Sequence, residues 1–235
     1  MIKTAIRKLL RRHGFAIDFV GPPSAISGKD ILQDVRAVLG GPASASVLFD
    51  VGANVGLTVT EMQVVFPQAR IYAFEPNPRT FAELESRHGG SATLENLAVG
   101  SAAGRLTLHA TPYSTNDSLL APAWKNAQSE KVEVDVVTLD DYCARHDIAA
   151  IDLVKIDTQG FDLEVLRGAE RLLSGRRIKA FSAELIFPIA YHGQPTYLDI
   201  LSFGAGHGYE PLGFYHQTHR NNSLEYCDVC FIARR

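Results

Sequence analysis

The segment VLFDVGANVG, residues 47–56, constrains the fold more than any other part of the sequence. An apolar run reaches the acidic residue Asp50 and continues directly into a turn with glycines at positions 52 and 56. Glycine lets the chain turn sharply and lets a ligand approach the backbone closely. The segment therefore predicts a strand, a ligand-binding turn and a helix, as at the start of many α/β domains.

The residues around the glycines distinguish between types of ligand. The dinucleotide fingerprint G-x-G-x-x-G requires a second glycine where Asn54 stands, so a pyrophosphate site is disfavoured. The carboxylate of Asp50 suits a cationic amino-acid group better than a diphosphate. Further along, AFEP ends in Glu75, 25 residues after Asp50, and a carboxylate at the tip of a second strand can accept both hydroxyls of a ribose. The alternative for Glu75 is an exposed carboxylate before a Pro-x-Pro turn.

Strands and helices alternate from residue 47 onward. The predicted order is strand VLFDV, helix 56–66, strand RIYAFEP and helix 79–88, and later strand DLVKID, helix 163–173 and strand KAFSAELI. This alternation favours an α/β fold with a mostly parallel sheet and helices on both faces. Residues 93–139 are strand-like with few helical stretches, which predicts a β-hairpin insertion. The C-terminal part predicts a helix, a strand, a turn and a strand.

Length, charge and cysteine content limit the classes of protein. A chain of 235 residues fits one large domain, here residues 47–235, after an N-terminal helical extension or cap at residues 1–46. The formal net charge of −3 gives no general attraction to a phosphate backbone, so nucleic acid is not an expected partner. The sparse set Cys143, Cys227 and Cys230 argues for a reducing compartment, and we expect a cytoplasmic protein. The last two form a C-x-x-C in a predicted strand, where residues three apart face opposite sides and do not share a metal.

The N-terminal segment MIKTAIRKLLRRHG places apolar residues at helical spacing with basic residues between them. It predicts a basic amphipathic helix at residues 1–13, and two interpretations are open. The helix packs on the domain with its charges in solvent, or it makes weak contact with a membrane surface or a partner protein. No run of about 18 apolar residues occurs, so no transmembrane helix is expected. A homodimer is also left open as a partner state.

A set of motifs in fixed order carries a family resemblance. They are D-V-G-A-N-V-G, A-F-E-P-N-P, L-A-V-G, V-T-L-D-D-Y, I-D-L-V-K-I-D-T-Q-G-F-D-L-E-V-L-R-G-A, A-E-L-I-F-P-I-A-Y-H-G-Q-P and D-V-C-F-I-A. Over residues 47–233 the chain resembles the FkbM-type methyltransferase family. The resemblance implies a class I methyltransferase, Rossmann-like fold with a mostly parallel seven-stranded sheet. It also implies transfer of a methyl group from S-adenosylmethionine to a hydroxyl of a sugar, glycan or polyketide-type natural product.

The resemblance further implies which residues hold the cofactor. It places the methionine and sulfonium end at Asp50, Gly52, Ala53, Asn54 and Gly56, the ribose at Glu75, the adenine edge at Asn96 to Ala98, and Asp157 beside the cofactor. One position departs from the family pattern, because family members often carry an acidic residue where Gln159 stands. A metal or acid–base role at that position is therefore not carried over.

Methyl transfer to oxygen needs a base, because the acceptor hydroxyl must lose its proton to react with the activated methyl group. Asp157, after DLVKI, and Glu184, after KAFSA, are predicted at the carboxyl ends of adjacent parallel strands, where α/β sheets bind ligands. They are candidate bases, or ligands of a Mg²⁺ or Mn²⁺ ion that acidifies the hydroxyl. His192 is a third candidate. The alternatives are a helix cap for Asp157, a buried ion pair for Glu184 and a surface position for His192.

Other features leave alternatives open. The loop YSTNDS, residues 113–118, offers hydroxyls and amides to a polyol acceptor, and His109 is a weaker acid–base candidate. An NAD-dependent oxidoreductase is a second function, disfavoured by Asn54. A third is a non-catalytic member that binds S-adenosylmethionine or a partner, disfavoured by the presence of both Asp157 and Glu184.

Overall fold

A computed structural model describes residues 26–234, so the predicted basic helix at residues 1–13 lies outside the described range. The strands are β1 Val47–Val51, β2 Arg70–Phe74, β3 Thr93–Glu95, β4 Ala98–Val99, β5 Gly104–Ala110, β6 Glu130–Val137, β7 Ile151–Ile156, β8 Ile178–Ile186, β9 Tyr209–Arg220 and β10 Ser223–Ala233. The helices are α1 Ile31–Leu39, α2 Leu57–Val65, α3 Pro78–His88, α4 Leu139–Arg145, α5 Asp162–Arg167, α6 Glu170–Ser174 and α7 Tyr197–Gly206. A short 3-10 helix spans Ser114–Asn116.

Seven strands form the main sheet, in the order β3-β2-β1-β7-β8-β10-β9. Neighbours from β3 to β8 pair in parallel, whereas β10 runs antiparallel to both β8 and β9. The predicted mostly parallel seven-stranded sheet is confirmed. The strand order reverses between β1 and β7, and the carboxyl ends of these strands therefore open a crevice of the kind in which α/β proteins bind ligands.

The predicted insertion is confirmed as a separate small sheet, but its boundary differs. Strands β5 and β6 pair antiparallel, and β4 adds to β6 in parallel. Residues 93–95, predicted as part of the insertion, instead form β3 and extend the main sheet beside β2. The hydroxyl of Tyr142 donates to the Glu95 carboxylate at 2.7 Å, so a contact from α4 stabilises this edge strand.

The helix predicted at residues 163–173 is two helices, α5 and α6, and the single-helix prediction was wrong. The Gly168 carbonyl accepts from the Asp140 backbone N–H at 2.9 Å instead of continuing the helix. The Asp140 carboxylate then accepts from the backbone N–H groups of Arg171 and Leu172 at 2.8 and 2.9 Å. Because a carboxylate from α4 caps the start of α6, the tertiary contact overrides the helical periodicity.

Apolar side chains cover both faces of the main sheet. On β1, Phe49 packs with one buried cluster and Leu48 with the other, as strand alternation requires. Cys227 lies in the first cluster and Cys230 in the second, which confirms that these residues face opposite sides. Both thiols and that of Cys143 are buried and free.

Helix α1 joins the core, because Ile31, Leu32 and Val35 pack in the same cluster as Leu48. Its first turn is capped by the Asp30 side chain, which accepts from the Gln33 backbone N–H at 2.9 Å. The described part of the predicted N-terminal extension thus packs directly on the sheet. None of the helices within residues 26–234 is both long and apolar enough to cross a bilayer.

Candidate functional site

A cavity of about 760 Å³ opens at the carboxyl ends of β1, β2, β7 and β8. Its wall includes the β1–α2 turn, the tip of β2, the loop with the 3-10 helix, and the segments that follow β7 and β8. A volume of a few hundred Å³ suits a small molecule together with a second reactant. The predicted site residues that line it are Gly52, Ala53, Asn54, Glu75, Ala98, Asp157 and Glu184.

The β1–α2 turn has the backbone that its glycines predict. Gly52 has φ of 81°, and a Cβ there would lie 1.9 Å from the Asp157 carbonyl oxygen. The Gly52 and Ala53 N–H groups donate to the Phe74 carbonyl at 3.0 and 2.9 Å. Gly56, at φ of 87°, packs against His88 and stands behind the cavity wall. The turn is therefore pressed between the ends of β2 and β7, where a larger residue has no room.

Glu75, at the tip of β2, is 6% exposed. One carboxylate oxygen accepts from the Asn54 N–H at 2.9 Å and the other from the Asn77 N–H at 2.8 Å. Burial raises the pKa of Glu75 to about 7. Each oxygen retains a lone pair, so the carboxylate is oriented to accept two further hydrogen bonds, the arrangement predicted for a ribose.

Asn96 has a different position from the one the resemblance implied. Its side-chain amide donates to the Glu75 and Pro76 carbonyls at 2.9 and 3.1 Å, and it does not line the cavity. These two hydrogen bonds stabilise the chain at the end of β2. The apolar residues after it, Leu97, Ala98 and Val99, form the wall on that side and provide a surface for a flat aromatic ring.

Asp50 is fully buried and does not line the cavity, although its chain neighbour Val51 and its ion-pair partner Lys155 do. Within the described residues its carboxylate oxygens have no hydrogen-bond partner, although the Lys155 ammonium lies 3.5 Å from one of them. Burial raises the pKa of Asp50, and Lys155 opposes that shift. An incompletely paired buried carboxylate beside a small-molecule cavity fits a cationic ligand there. The oriented Glu75 carboxylate and the glycine turn fit a nucleoside linked to an amino acid, as S-adenosylmethionine is.

Asp157 follows β7 and opens into the cavity. Its carboxylate accepts from Lys155 at 3.2 Å and from the Gln159 amide at 2.9 Å. Burial alone would raise the pKa of Asp157, but Lys155 and Gln159 hold it below the usual range. Burial also opposes the charge on Lys155, while Asp157 and Asp50 keep its pKa raised. Asp157 is therefore ionised at neutral pH, with a charged lysine beside it.

The pKa of Glu184, in the carboxyl half of β8, is shifted in the opposite direction to that of Asp157. It accepts from the Gln159 amide at 3.0 Å, and its backbone N–H donates to the buried Asp162 carboxylate at 2.9 Å. Burial, and then the charges of Asp157, Asp162 and Asp228, raise the pKa of Glu184 well above its usual range. Two carboxyl groups of unequal acidity thus share one amide, an arrangement found where acid and base roles are divided.

His192 does not reach this cluster. It is exposed, lies outside the cavity wall, and its backbone N–H donates to the Ala121 carbonyl at 2.8 Å. Its neighbour Tyr191 is buried in the wall, and the Tyr191 hydroxyl donates to the Gln159 side-chain oxygen at 2.9 Å. His109, on β5, also lies outside the wall.

Sequence reasoning did not identify Lys155 or Tyr191 as members of the site. Lys155 stands two residues before Asp157, and strand alternation places such residues on one side, so it was within reach. Tyr191 could not be identified in this way, because it lies in a loop. The conformation of that loop determines whether Tyr191 or His192 faces the cavity.

The loop of residues 113–118 does border the cavity. The Ser114 hydroxyl donates to the Asn54 side chain at 3.2 Å, and the Ser118 hydroxyl donates to the Gln159 carbonyl at 2.7 Å. At the mouth, the Trp124 and Tyr191 rings meet edge to face with centroids 5.5 Å apart. Within residues 26–234, no group of three or more His, Cys, Asp or Glu side chains is arranged to hold a metal ion.

Comparison with known proteins identifies relatives. The curated relatives include the 31-O-demethyl-FK506 methyltransferase FkbM of Streptomyces tacrolimicus, 30% identical over 154 residues, with 53% of this chain and 59% of the relative covered. They also include the 2-O-methyltransferase NoeI of Sinorhizobium fredii, 28% identical, with 56% and 60% covered, and the hexuronic acid methyltransferase AglP of Haloferax volcanii, 28% identical, with 60% and 57% covered. The chain thus spans about three-fifths of the length of these relatives.

Among solved structures, the METTL16 MTase domain aligns with a TM-score of 0.50 at 11% identity, covering 100% of this chain and 80% of that one. This likeness supports the class I methyltransferase fold alone. The family model described as the methyltransferase FkbM domain matches residues 50–211, from the end of β1 into β9, and so includes Asp157, Gln159 and Glu184. The resemblance read from the motifs is confirmed, and the chain belongs to the FkbM methyltransferase family.

Proposed function

We propose that this protein transfers a methyl group from S-adenosylmethionine to a hydroxyl of a sugar, glycan or polyketide-type natural product. The observation that carries the proposal is the placement of two unequal carboxyl groups, Asp157 and Glu184, in one cavity with the Glu75 tip and the glycine turn. Cofactor binding and proton removal are thereby combined in one space.

Different residues around the cavity would bind different parts of the cofactor. Glu75 would accept the ribose hydroxyls, and the apolar wall of Leu97 to Val99 would cover the adenine. The turn at residues 52–54 would hold the amino-acid end, with the buried carboxyl group of Asp50 two residues before it. When bound, the cofactor supplies a methyl group already activated by the sulfonium. The chain must therefore position the acceptor oxygen and accept its proton.

Asp157 is the proposed base. It is ionised, it opens into the cavity, and Lys155 stabilises its charge before the reaction. The Asp157 carboxylate would accept the proton of the acceptor O–H as that oxygen takes the methyl group, and the methyl–sulfur bond would break to leave S-adenosylhomocysteine. Glu184, with its raised pKa, would remain protonated and donate a hydrogen bond to a neighbouring acceptor oxygen.

The acceptor class rests on the relatives and on the mouth of the cavity. The relatives are named for a 31-O-demethyl-FK506 substrate, for 2-O-methyl transfer and for a hexuronic acid. Trp124 and Tyr226 line the cavity and are partly exposed, and the buried Tyr191 ring contacts Trp124. Aromatic rings beside serine and asparagine side chains suit the mixed apolar and hydroxylated faces of a sugar or a polyketide.

The test is transfer of labelled methyl from S-adenosylmethionine to a panel of sugar and polyketide acceptors. Asp157→Asn should lower turnover about 10²- to 10⁴-fold and leave S-adenosylhomocysteine affinity nearly unchanged. Glu184→Gln should lose far less, because glutamine also donates a hydrogen bond. Binding of S-adenosylhomocysteine without transfer to any acceptor would favour a non-catalytic member. Retention of NAD instead would favour an oxidoreductase, and loss of turnover in chelator, restored by Mg²⁺ or Mn²⁺, would show a metal role.

A further inference from the structure

Gln159 is held from three directions in the centre of the cavity wall. Its backbone has a left-handed φ of 53°, and its carbonyl accepts from the Ser118 hydroxyl at 2.7 Å. Its side-chain oxygen accepts from the Tyr191 hydroxyl at 2.9 Å. Its side-chain nitrogen donates to Asp157 at 2.9 Å and to Glu184 at 3.0 Å.

These contacts fix the orientation of the amide. The side-chain nitrogen has two hydrogens, and each carboxyl group receives one of them. A flipped amide would turn its oxygen toward both carboxyl groups and its N–H groups toward the Tyr191 hydroxyl. That orientation would remove the amide donor from both carboxyl groups and leave Lys155 as the donor to Asp157. The described orientation is therefore the one that gives each carboxyl group an amide donor and pairs the amide oxygen with the Tyr191 hydroxyl.

The amide stands where acidic groups converge. Glu184 faces Asp157 across Gln159, Asp162 from α5 and Asp228 from β10, and Lys155 is the cation that acts on it. Asp228 is paired in register with Glu184 and also contacts His216 at 2.6 Å. Two carboxyl groups that reach the same nitrogen, as Asp157 and Glu184 do, would share a proton or bind a divalent cation if no donor stood between them.

We propose that Gln159 is a positioning residue whose side-chain amide takes the place between Asp157 and Glu184 that a shared proton or a divalent cation would otherwise fill. The two carboxyl groups stay side by side, with Asp157 free of both proton and metal. The inference rests on the proposed function only in making Asp157 the base.

The first test uses Gln159→Glu, which keeps the size of the side chain, removes both donors and adds a third carboxylate. In titration calorimetry with Mn²⁺ at neutral pH, the wild type should show no binding in this cavity. Q159E should gain a Mn²⁺ site whose affinity lies at least about tenfold above the detection limit set by the wild type, because three carboxylates are typical ligands for this ion. The matched control is Gln33→Glu, the same change on the exposed face of α1, which should gain nothing. Asp157→Asn added to Q159E should abolish the gain.

The second test uses Gln159→Met, which has a similar length and no donor. Without the amide, the carboxyl pair of Q159M should bind a proton more tightly in the folded state. The stability of Q159M relative to the wild type should therefore rise as the pH falls. The difference in Tm between wild type and Q159M should therefore narrow from pH 8 to pH 6. A residue that only fills space would lower the Tm equally at every pH.

Two outcomes would overturn the inference. One is Mn²⁺ binding to the wild type that Asp157→Asn removes, because the cation would then share the place assigned to the amide. The other is a Q159M deficit that does not change with pH. Both measurements are independent of the acceptor. A Mn²⁺ site gained by Q159E, together with no methyl transfer to any acceptor, would support the role of the amide and contradict the proposed function.

Discussion

Glu75 illustrates, at the residue scale, how a binding group differs from a structural one. Its carboxylate is buried and oriented by two backbone N–H groups, and it is polar rather than part of the apolar core. We expect Glu75→Ala to weaken S-adenosylhomocysteine binding by about 1.5 to 3 kcal/mol, the range for hydrogen bonds to a charged group. Calorimetry measures the loss, with Glu85→Ala on the exposed face of α3 as the control. Equal affinity in both variants would contradict the ribose assignment.

The same residue should set part of the pH dependence of stability. Burial raises its pKa from 4.5 to about 7, so the folded state favours the neutral form. The stability contributed by neutral Glu75 is complete below pH 4.5 and is lost as the pH rises through about 7. Glu75→Gln removes this contribution to stability, which is on the order of 3 kcal/mol. Without ligand, the wild type should therefore lose stability relative to E75Q between these pH values. Parallel Tm profiles would show that Glu75 is not buried as described.

The cavity residues that could be predicted from the sequence are those that stand at the end of a parallel strand. Glu75 and Asp157 were predicted because a parallel strand delivers its last side chain to the crevice. Tyr191 and His192 could not be separated in that way. The inward turn of Tyr191 depends on a bridge between Pro122 and Tyr191, which joins segments about 70 residues apart in sequence.

At the scale of elements, the steric role of the β1–α2 turn can be tested by comparing two glycines that have the same φ angle. Gly52 and Gly193 both have φ of 81°, but only Gly52 has a neighbour where a Cβ would stand. Gly193→Ala should cost about 1 kcal/mol of stability, the expected strain for alanine in the left-handed region. Gly52→Ala should cost more than about 3 kcal/mol and abolish S-adenosylhomocysteine binding, because the turn must move away from Asp157. Chemical denaturation measures the free energy of unfolding of both variants. Equal losses of stability would contradict the steric role of Gly52.

The elements also show where local pattern reaches its limit. The glycine turn, the parallel strands and the hairpin follow from periodicity and turn residues, which are local properties. The division of residues 163–173 into two helices does not, since Asp140 on another helix caps the start of α6. The assignment of β3 to the main sheet likewise depends on pairing with β2. Such features are decided by contacts between distant segments.

At the scale of the whole molecule, the cavity joins β1, β2, β7 and β8, so a ligand that fills it should stabilise the entire sheet. At about 100 times its dissociation constant, S-adenosylhomocysteine should add about 2.7 kcal/mol to the free energy of unfolding. For a domain of this size, that corresponds to a rise in Tm of about 5 to 10 °C. NAD should give no rise, because Asn54 occupies the place of the second glycine in a pyrophosphate turn. A thermal scan with each ligand measures this, and Glu75→Ala in the same scan should need a higher concentration of S-adenosylhomocysteine for the same shift. A rise with NAD and none with S-adenosylhomocysteine would refute the cofactor assignment, whereas a shift in both proteins at equal concentration would refute only the part given to Glu75.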